Sequence, residues 1–245
     1  MGGPLSGHSF GNLLTARLEK IYKGQDRGID AQRQLFGVKA KIMPVSIDST
    51  ELIAETSKGK KIVGETNIDL RSHDKAFDAS DKIARIYFES RADVNLAILE
   101  EIENADKIVF APGDLYTSIL PHLLVDGVKE ALLRTKAKII YILNLATKPG
   151  ETDGYKSSDF LKIFNYYLDS PDRLDYLIAS SDGLDKEILD LYINSGQNLV
   201  EVDSGNIKKL APNIKIIKKH LATYLKKQHL LRHDSILLAR AILEI

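Results

Sequence analysis

The sequence contains no cysteine and no tryptophan, only two methionines, and no net charge. Without Cys, disulfides, thiolate metal sites and cysteine nucleophiles are excluded. Lys plus Arg is 34 and Asp plus Glu is 34. The basic surplus of a general nucleic-acid binder is therefore missing, and no nucleic-acid partner is expected. No apolar run approaches the roughly 18 residues of a membrane span. The longest is Ile139-Ile140-Tyr141-Ile142-Leu143, which is strand length, so no membrane partner is expected. The N-terminus lacks the basic and apolar regions of a secretory signal. Met1-Gly2-Gly3-Pro4-Leu5-Ser6 matches the bare myristoylation pattern, which is loose enough for chance to explain it. The expected location is cytoplasmic. What remains is ordinary for a globular protein: 245 residues, 44% hydrophobic and 28% charged, enough to bury a core in a single domain over 1–245.

The chain changes period twice. Asn12 to Tyr22 carries a helical stripe (Leu13, Leu14, Leu18, Ile21), and a short helix fits Ile29 to Leu35. Strand patterns follow at 40–45, 51–56, 61–65 and 83–88, with Ser57-Lys58-Gly59-Lys60 as a hairpin turn. The stretch from about 38 to 90 reads as a small antiparallel β module. From residue 94 helices and strands alternate. Helices are expected at 94–102, 125–135, 158–168, 185–195 and 235–243. Strands are expected at 107–111, 139–143, 174–179, 199–202 and 213–217. Ile- and Val-rich strands, each followed by a helix, predict an α/β fold, a parallel sheet covered on both faces. Ligands of such sheets bind in the loops after the strands.

After the strand ending at Ala111 comes Pro112-Gly113-Asp114-Leu115-Tyr116-Thr117-Ser118. Thr117 and Ser118 sit where a helix begins, fitted equally for capping it or for holding a phosphate. After Leu143 comes Asn144-Leu145-Ala146-Thr147-Lys148-Pro149-Gly150-Glu151-Thr152-Asp153-Gly154-Tyr155, long for a simple connection. Glu151 and Asp153 suit a hydrated Mg²⁺ or sugar hydroxyls. Gly7-His8-Ser9-Phe10-Gly11-Asn12 precedes the first helix. Ser9 or Asn12 suits a cap there, and His8 is either structural or a phosphate or general-acid residue. Near the C-terminus Arg232 is a candidate phosphate fork and Asp234 a helix cap. His229 and His233 have i, i+4 spacing but no third ligand for zinc. Lys218-Lys219-His220 and Lys226-Lys227 read as solvated surface.

Four segments, GHSFGNLL (7–14), APGDLYTSILPHLLVDGV (111–128), NLATKPGETDGY (144–155) and RHD (232–234), together resemble one family. It is the gluconeogenesis-factor (YvcK-like) branch of the 2-phospho-L-lactate transferase (CofD) superfamily. The resemblance implies a Rossmann-like three-layer parallel sheet with the antiparallel module inserted. Family members look as though they begin earlier, with a strand and a GGGTG-type loop, so the chain reads as N-terminally truncated relative to them and is expected to be poorly stable alone.

The resemblance implies a binder of UDP-sugars, notably UDP-N-acetylglucosamine, regulating cell-wall (peptidoglycan) synthesis and cell shape. The alternative it implies is a transferase moving a phospholactyl group from a nucleotide donor to a deazaflavin alcohol with Mg²⁺. By the same resemblance Gly113, Asp114, Thr117 and Ser118 approach the diphosphate, with Asp114 turned to a metal or sugar hydroxyl. Thr152, Asp153 and Tyr155 contact sugar or nucleoside, Arg232 pairs with phosphate, Tyr192 stacks on the base, and His8, Ser9 and Asn12 line the crevice. No resident metal is assigned, and a homo-oligomer is left open.

Overall fold

The computed structural model describes residues 9–245. His8 and the myristoylation-like segment lie outside the described residues. The chain opens with two helices, α1 (Phe10–Tyr22) and α2 (Gln25–Leu35). Ser9 caps α1, its hydroxyl accepting the Asn12 N–H at 3.1 Å. The two helices cross closely because Gly28 has no side chain. A Cβ there would lie 2.6 Å from the Glu19 backbone.

Next come β1 (Leu52–Thr56), β2 (Lys61–Val63), the short α3 (Glu65–Asp69), a 3₁₀ turn at Arg71–His73, and β3 (Ile83–Phe88). The three strands form an antiparallel sheet in the order β2-β1-β3. This is the expected module, with its hairpin where Gly59 takes φ +80°. The expected strand at 40–45 does not form. Pro44 removes a ladder donor, and the Val45 and Pro44 carbonyls instead accept from the backbone and side chain of Asn95.

The second half contains α4 (Leu96–Asn104), β4 (Lys107–Phe110), α5 (Pro121–Leu124), α6 (Val128–Arg134), β5 (Lys138–Ile142), α7 (Ser157–Leu168), β6 (Tyr176–Ser180), α8 (Lys186–Asn194), α9 (Ser204–Leu210) and β7 (Lys215–Lys219). A hairpin, β8 (Ala222–Leu225) with β9 (Leu230–His233), and α10 (Ser235–Leu243) complete the chain. Strands β4-β5-β6-β7 form a parallel sheet in that order.

Alternate residues of the central strands serve two cores, as the two-residue period of a strand requires. Ile139, Tyr141, Leu177 and Ala179 pack with Phe160, Leu161 and Phe164 of α7 and Ile207 of α9. Ile140, Ile142 and Ile178 pack with Leu221 and with Ala241 of α10. The sheet is thus the middle of three layers, as expected from its uninterrupted apolar strands. The expected strand at 199–202 is reduced to a single bridge, Leu199 to Ala146. Among the described residues no helix is long and apolar enough to cross a membrane.

Candidate functional site

The carboxyl ends of β4 and β5 release their loops on one side of the sheet, and a cleft of about 900 Å³ opens there. Gly113, Asp114 and Ser118 line it from the loop after β4, and Asn144 to Pro149 from the loop after β5. Asp69 and Ser72 from the antiparallel module, Tyr192 of α8 and Leu230 to His233 of β9 complete the lining.

The loop after β4 runs into a π turn at Leu115–Ile119, where the Ile119 N–H reaches the Asp114 carbonyl at 3.0 Å. Such turns widen the backbone ladder and recur at functional sites. One of its amides is already used. The Tyr116 N–H donates to Glu151 Oε2 at 3.2 Å, and the Thr117 hydroxyl donates to Oε1 at 3.3 Å. A carboxylate of the chain itself therefore sits against the turn.

Glu151 is fully buried, and burial pushes its carboxyl up to about 7, against the partial opposition of Lys148. The Lys148 ammonium stands among three carboxylates. It bonds Asp69, lies 2.6 Å from Asp114 and 3.5 Å from Glu151. Burial works against its charge, but the Asp114 and Asp69 bonds outweigh it and hold the ammonium above its usual range. Oxygens of Asp69, Asp114 and Glu151 lie within 4.8 Å of one another, a spacing a divalent cation accepts. With Lys148 already at that centre the group does not fit Mg²⁺ as it stands. Glu151 and Asp153 do not form the pair their spacing suggested. Asp153 turns away to accept the Gly150 N–H at 2.8 Å.

The expected site residues divide. Gly113, Asp114, Ser118, Tyr192 and Arg232 line the cleft. Thr117, Thr152 and Tyr155 stand behind its wall. Thr117 is held by Glu151, the Thr152 hydroxyl accepts the Lys148 N–H at 2.8 Å, and the Tyr155 hydroxyl pairs with that of Tyr116 at 2.9 Å. Ser9 and Asn12 are at the exposed start of α1. The Tyr192 hydroxyl accepts the Leu231 N–H at 2.6 Å, tying α8 to β9. Arg232 is exposed.

Several lining residues were not singled out as site residues from the sequence. Asn144 donates to the Gly113 carbonyl at 2.8 Å, clasping the two loops. The His233 ring bonds the backbone of Leu143, and burial lowers its pKa. Asn144 Oδ1 and His233 Nε2 are buried at the cleft without a partner among the described residues. Asp69 arrives from the antiparallel module, a contact no local pattern announces.

The profile of the family described as 2-phospho-L-lactate transferase CofD matches residues 1–222. The chain belongs to the CofD family. A Thermotoga maritima relative is 36% identical over 243 residues, 98% of this chain and 73% of that protein. The gluconeogenesis factor of Halalkalibacterium halodurans is 34% identical over 244 residues, covering 99% of this chain and 72% of its own length. The gluconeogenesis factor of Bacillus subtilis is 29% identical over 245 residues, with 100% and 73% covered. Two crystal structures of a Bacillus halodurans protein superpose with TM-scores of 0.89 and 0.88 at 32% identity, over 99% of this chain and 74% of theirs. Within the CofD family the chain thus sits in the gluconeogenesis-factor branch.

Proposed function

We propose that this CofD-family chain is a nucleotide-sugar-binding regulator, with a UDP-N-acetylglucosamine-type ligand, acting in cell-wall synthesis and cell shape. The observation that supports it most directly is the cleft at the strand ends. Ser118 and Arg232 provide a hydroxyl and a guanidinium for phosphate oxygens, Tyr192 provides an aromatic ring beside β9, and Asp114 provides a carboxylate for hydroxyl donors. A volume of about 900 Å³ accommodates a ligand of that size. The gluconeogenesis-factor relatives favour this branch over the transferase one. Lys148, standing where the carboxylates would hold a cation, points the same way.

Thermal-shift titration with UDP-N-acetylglucosamine, UDP and GDP, with and without Mg²⁺, tests the reading. A ligand that binds only the native state raises the melting temperature by mass action. The expected result is a selective, Mg²⁺-independent shift with the UDP-sugar. Equal shifts with UDP and the UDP-sugar, together with Mg²⁺-dependent turnover of a phospholactyl donor, would overturn it in favour of the transferase.

A further inference from the structure

From Ser204 to His233 the chain carries seven Lys and one Arg and not one Asp or Glu. Because the whole chain is neutral, the remainder holds eight more acidic than basic side chains. The charge is thus segregated. Lys208, which bonds the Ile214 carbonyl, and Lys215, paired with Tyr176 at the start of β6, lie at the amino ends of the strands, away from the cleft, whereas the part from Lys218 onward follows the carboxyl end of β7. Its last strand, β9, lines the cleft through Leu230 to His233. The hairpin tip, Lys226-Lys227-Gln228-His229, is exposed throughout. Among the described residues only Lys219 and His220 of this segment face a carboxylate, from Glu244 and Asp182. Lys226 and Lys227 face none. The cleft lining also holds two carboxylates, Asp69 and Asp114, against the single charge of Lys148.

An anion approaching such a mouth is repelled by Asp69 and Asp114 and attracted by the basic residues of β9 and its hairpin. At about 0.15 M salt the field of an exposed charge reaches about 8 Å, and at about 0.01 M about 30 Å. Charges outside a site therefore change the rate of arrival more than the lifetime of the complex. We infer that the acid-free stretch 218–233 is an electrostatic guide that draws a phosphate-bearing ligand to the β9 side of the cleft, with Lys226 and Lys227 as its outermost charges. The inference rests on the nucleotide reading above and adds a rate-determining role for residues that touch no ligand.

Stopped-flow association of a fluorescently labelled UDP with the whole chain tests it. The variants are the double Lys226→Gln, Lys227→Gln and a charge-matched control, Arg134→Gln, Lys136→Gln. The control positions are exposed and precede β5, at the end of the sheet away from the cleft. Melting temperature is checked for both. In wild type the on-rate should rise about tenfold between about 0.15 M and 0.01 M salt. The hairpin variant should bind several-fold more slowly at low salt, converge with wild type at high salt, and keep its off-rate. The control should follow wild type. A hairpin variant with the salt slope of wild type or of the control overturns the guide alone. Wild type that binds no labelled UDP at any salt overturns the nucleotide reading and the guide with it.

Discussion

The guanidinium of Arg71 donates to the carbonyl of Gly150 at 2.8 Å, joining segments 79 positions apart. A second nitrogen of the same group donates to the Asp81 carbonyl at 2.5 Å. Arg71 is buried, and Gly150 takes φ +87°, where a Cβ would lie 2.9 Å from Arg71 Cγ. One side chain thus fastens the antiparallel module to the loop that carries Lys148 and Glu151. Arg71→Ala leaves two buried carbonyls without donors and should cost about 3 kcal/mol. Arg71→Lys should recover little, since an ammonium lacks the planar fork that spans both acceptors. Urea unfolding curves measure both, and an Arg71→Ala midpoint equal to wild type would refute the fastening role.

Lys148 should be needed for stability before it is needed for binding. Lys148→Met leaves three carboxylates facing one another in a partly buried site. Removing one partner of such a group costs about 3–5 kcal/mol. The same change vacates the centre of a cluster with cation spacing. Millimolar Mg²⁺ should therefore raise the melting temperature of the variant and leave wild type unmoved. Equal responses of the two proteins would count against Lys148 as the cluster's own counter-ion.

Glu151 sets a pH dependence of definite sign. Its folded pKa is raised from 4.5 to about 7, so between these values the folded chain binds more protons than the unfolded one. Stability from this group is present in full below about 4.5 and is lost as pH rises through about 7, up to about 3 kcal/mol in all. His233, whose folded pKa is lowered, works in the opposite direction near 6.5. Asp203, lowered to about 2 by its Ser158 and Ser157 bonds against burial, acts only below about 4. The test is accordingly the difference between wild type and Glu151→Gln across pH 4.5–7.5. The variant should lose the declining component, and parallel profiles would exclude Glu151 as its source.

Arg232 is held in β9 opposite Thr223, but its side chain makes no hydrogen bond or ion pair among the described residues, and the residue is exposed. Arg232→Ala should leave the melting temperature within about 1 °C, since surface changes of this kind shift stability by less than about 0.5 kcal/mol. It should weaken UDP-sugar binding about 10- to 100-fold by removing a charge-assisted bond to phosphate. Isothermal titration calorimetry separates the two effects, and undiminished affinity would remove Arg232 from the site.

The alternating half was readable because its central strands, β5 and β6, are apolar on both faces and stand out by composition from the amphipathic helices around them. The β8–β9 hairpin was not. Its connection, Lys226 to His229, has neither Gly nor Pro, and the left-handed position falls to His229 at φ 53°, so no turn residue marks it. Segment 40–45 has the strand alternation but not the ladder, because Pro44 and Asn95 redirect its backbone bonds. In the cleft, Gly113, Ser118 and Arg232 were visible as loop residues of the right chemistry. Glu151 was visible as a carboxylate but not as the occupant of the Tyr116 amide, and Asp69 was not visible at all. Both relationships join residues more than 30 positions apart, and neither leaves a local trace.

The order β4-β5-β6-β7 follows the chain without a reversal, and it bears on how such a protein can diverge. The rim loops after β5 and β6 are anchored by strands buried on both faces. A rim residue can be exchanged without disturbing strand register. One scaffold can thereby pass between transferring a group and merely sensing a ligand through a handful of replacements at its mouth, while the interior keeps the same sequence pattern and the same order of assembly.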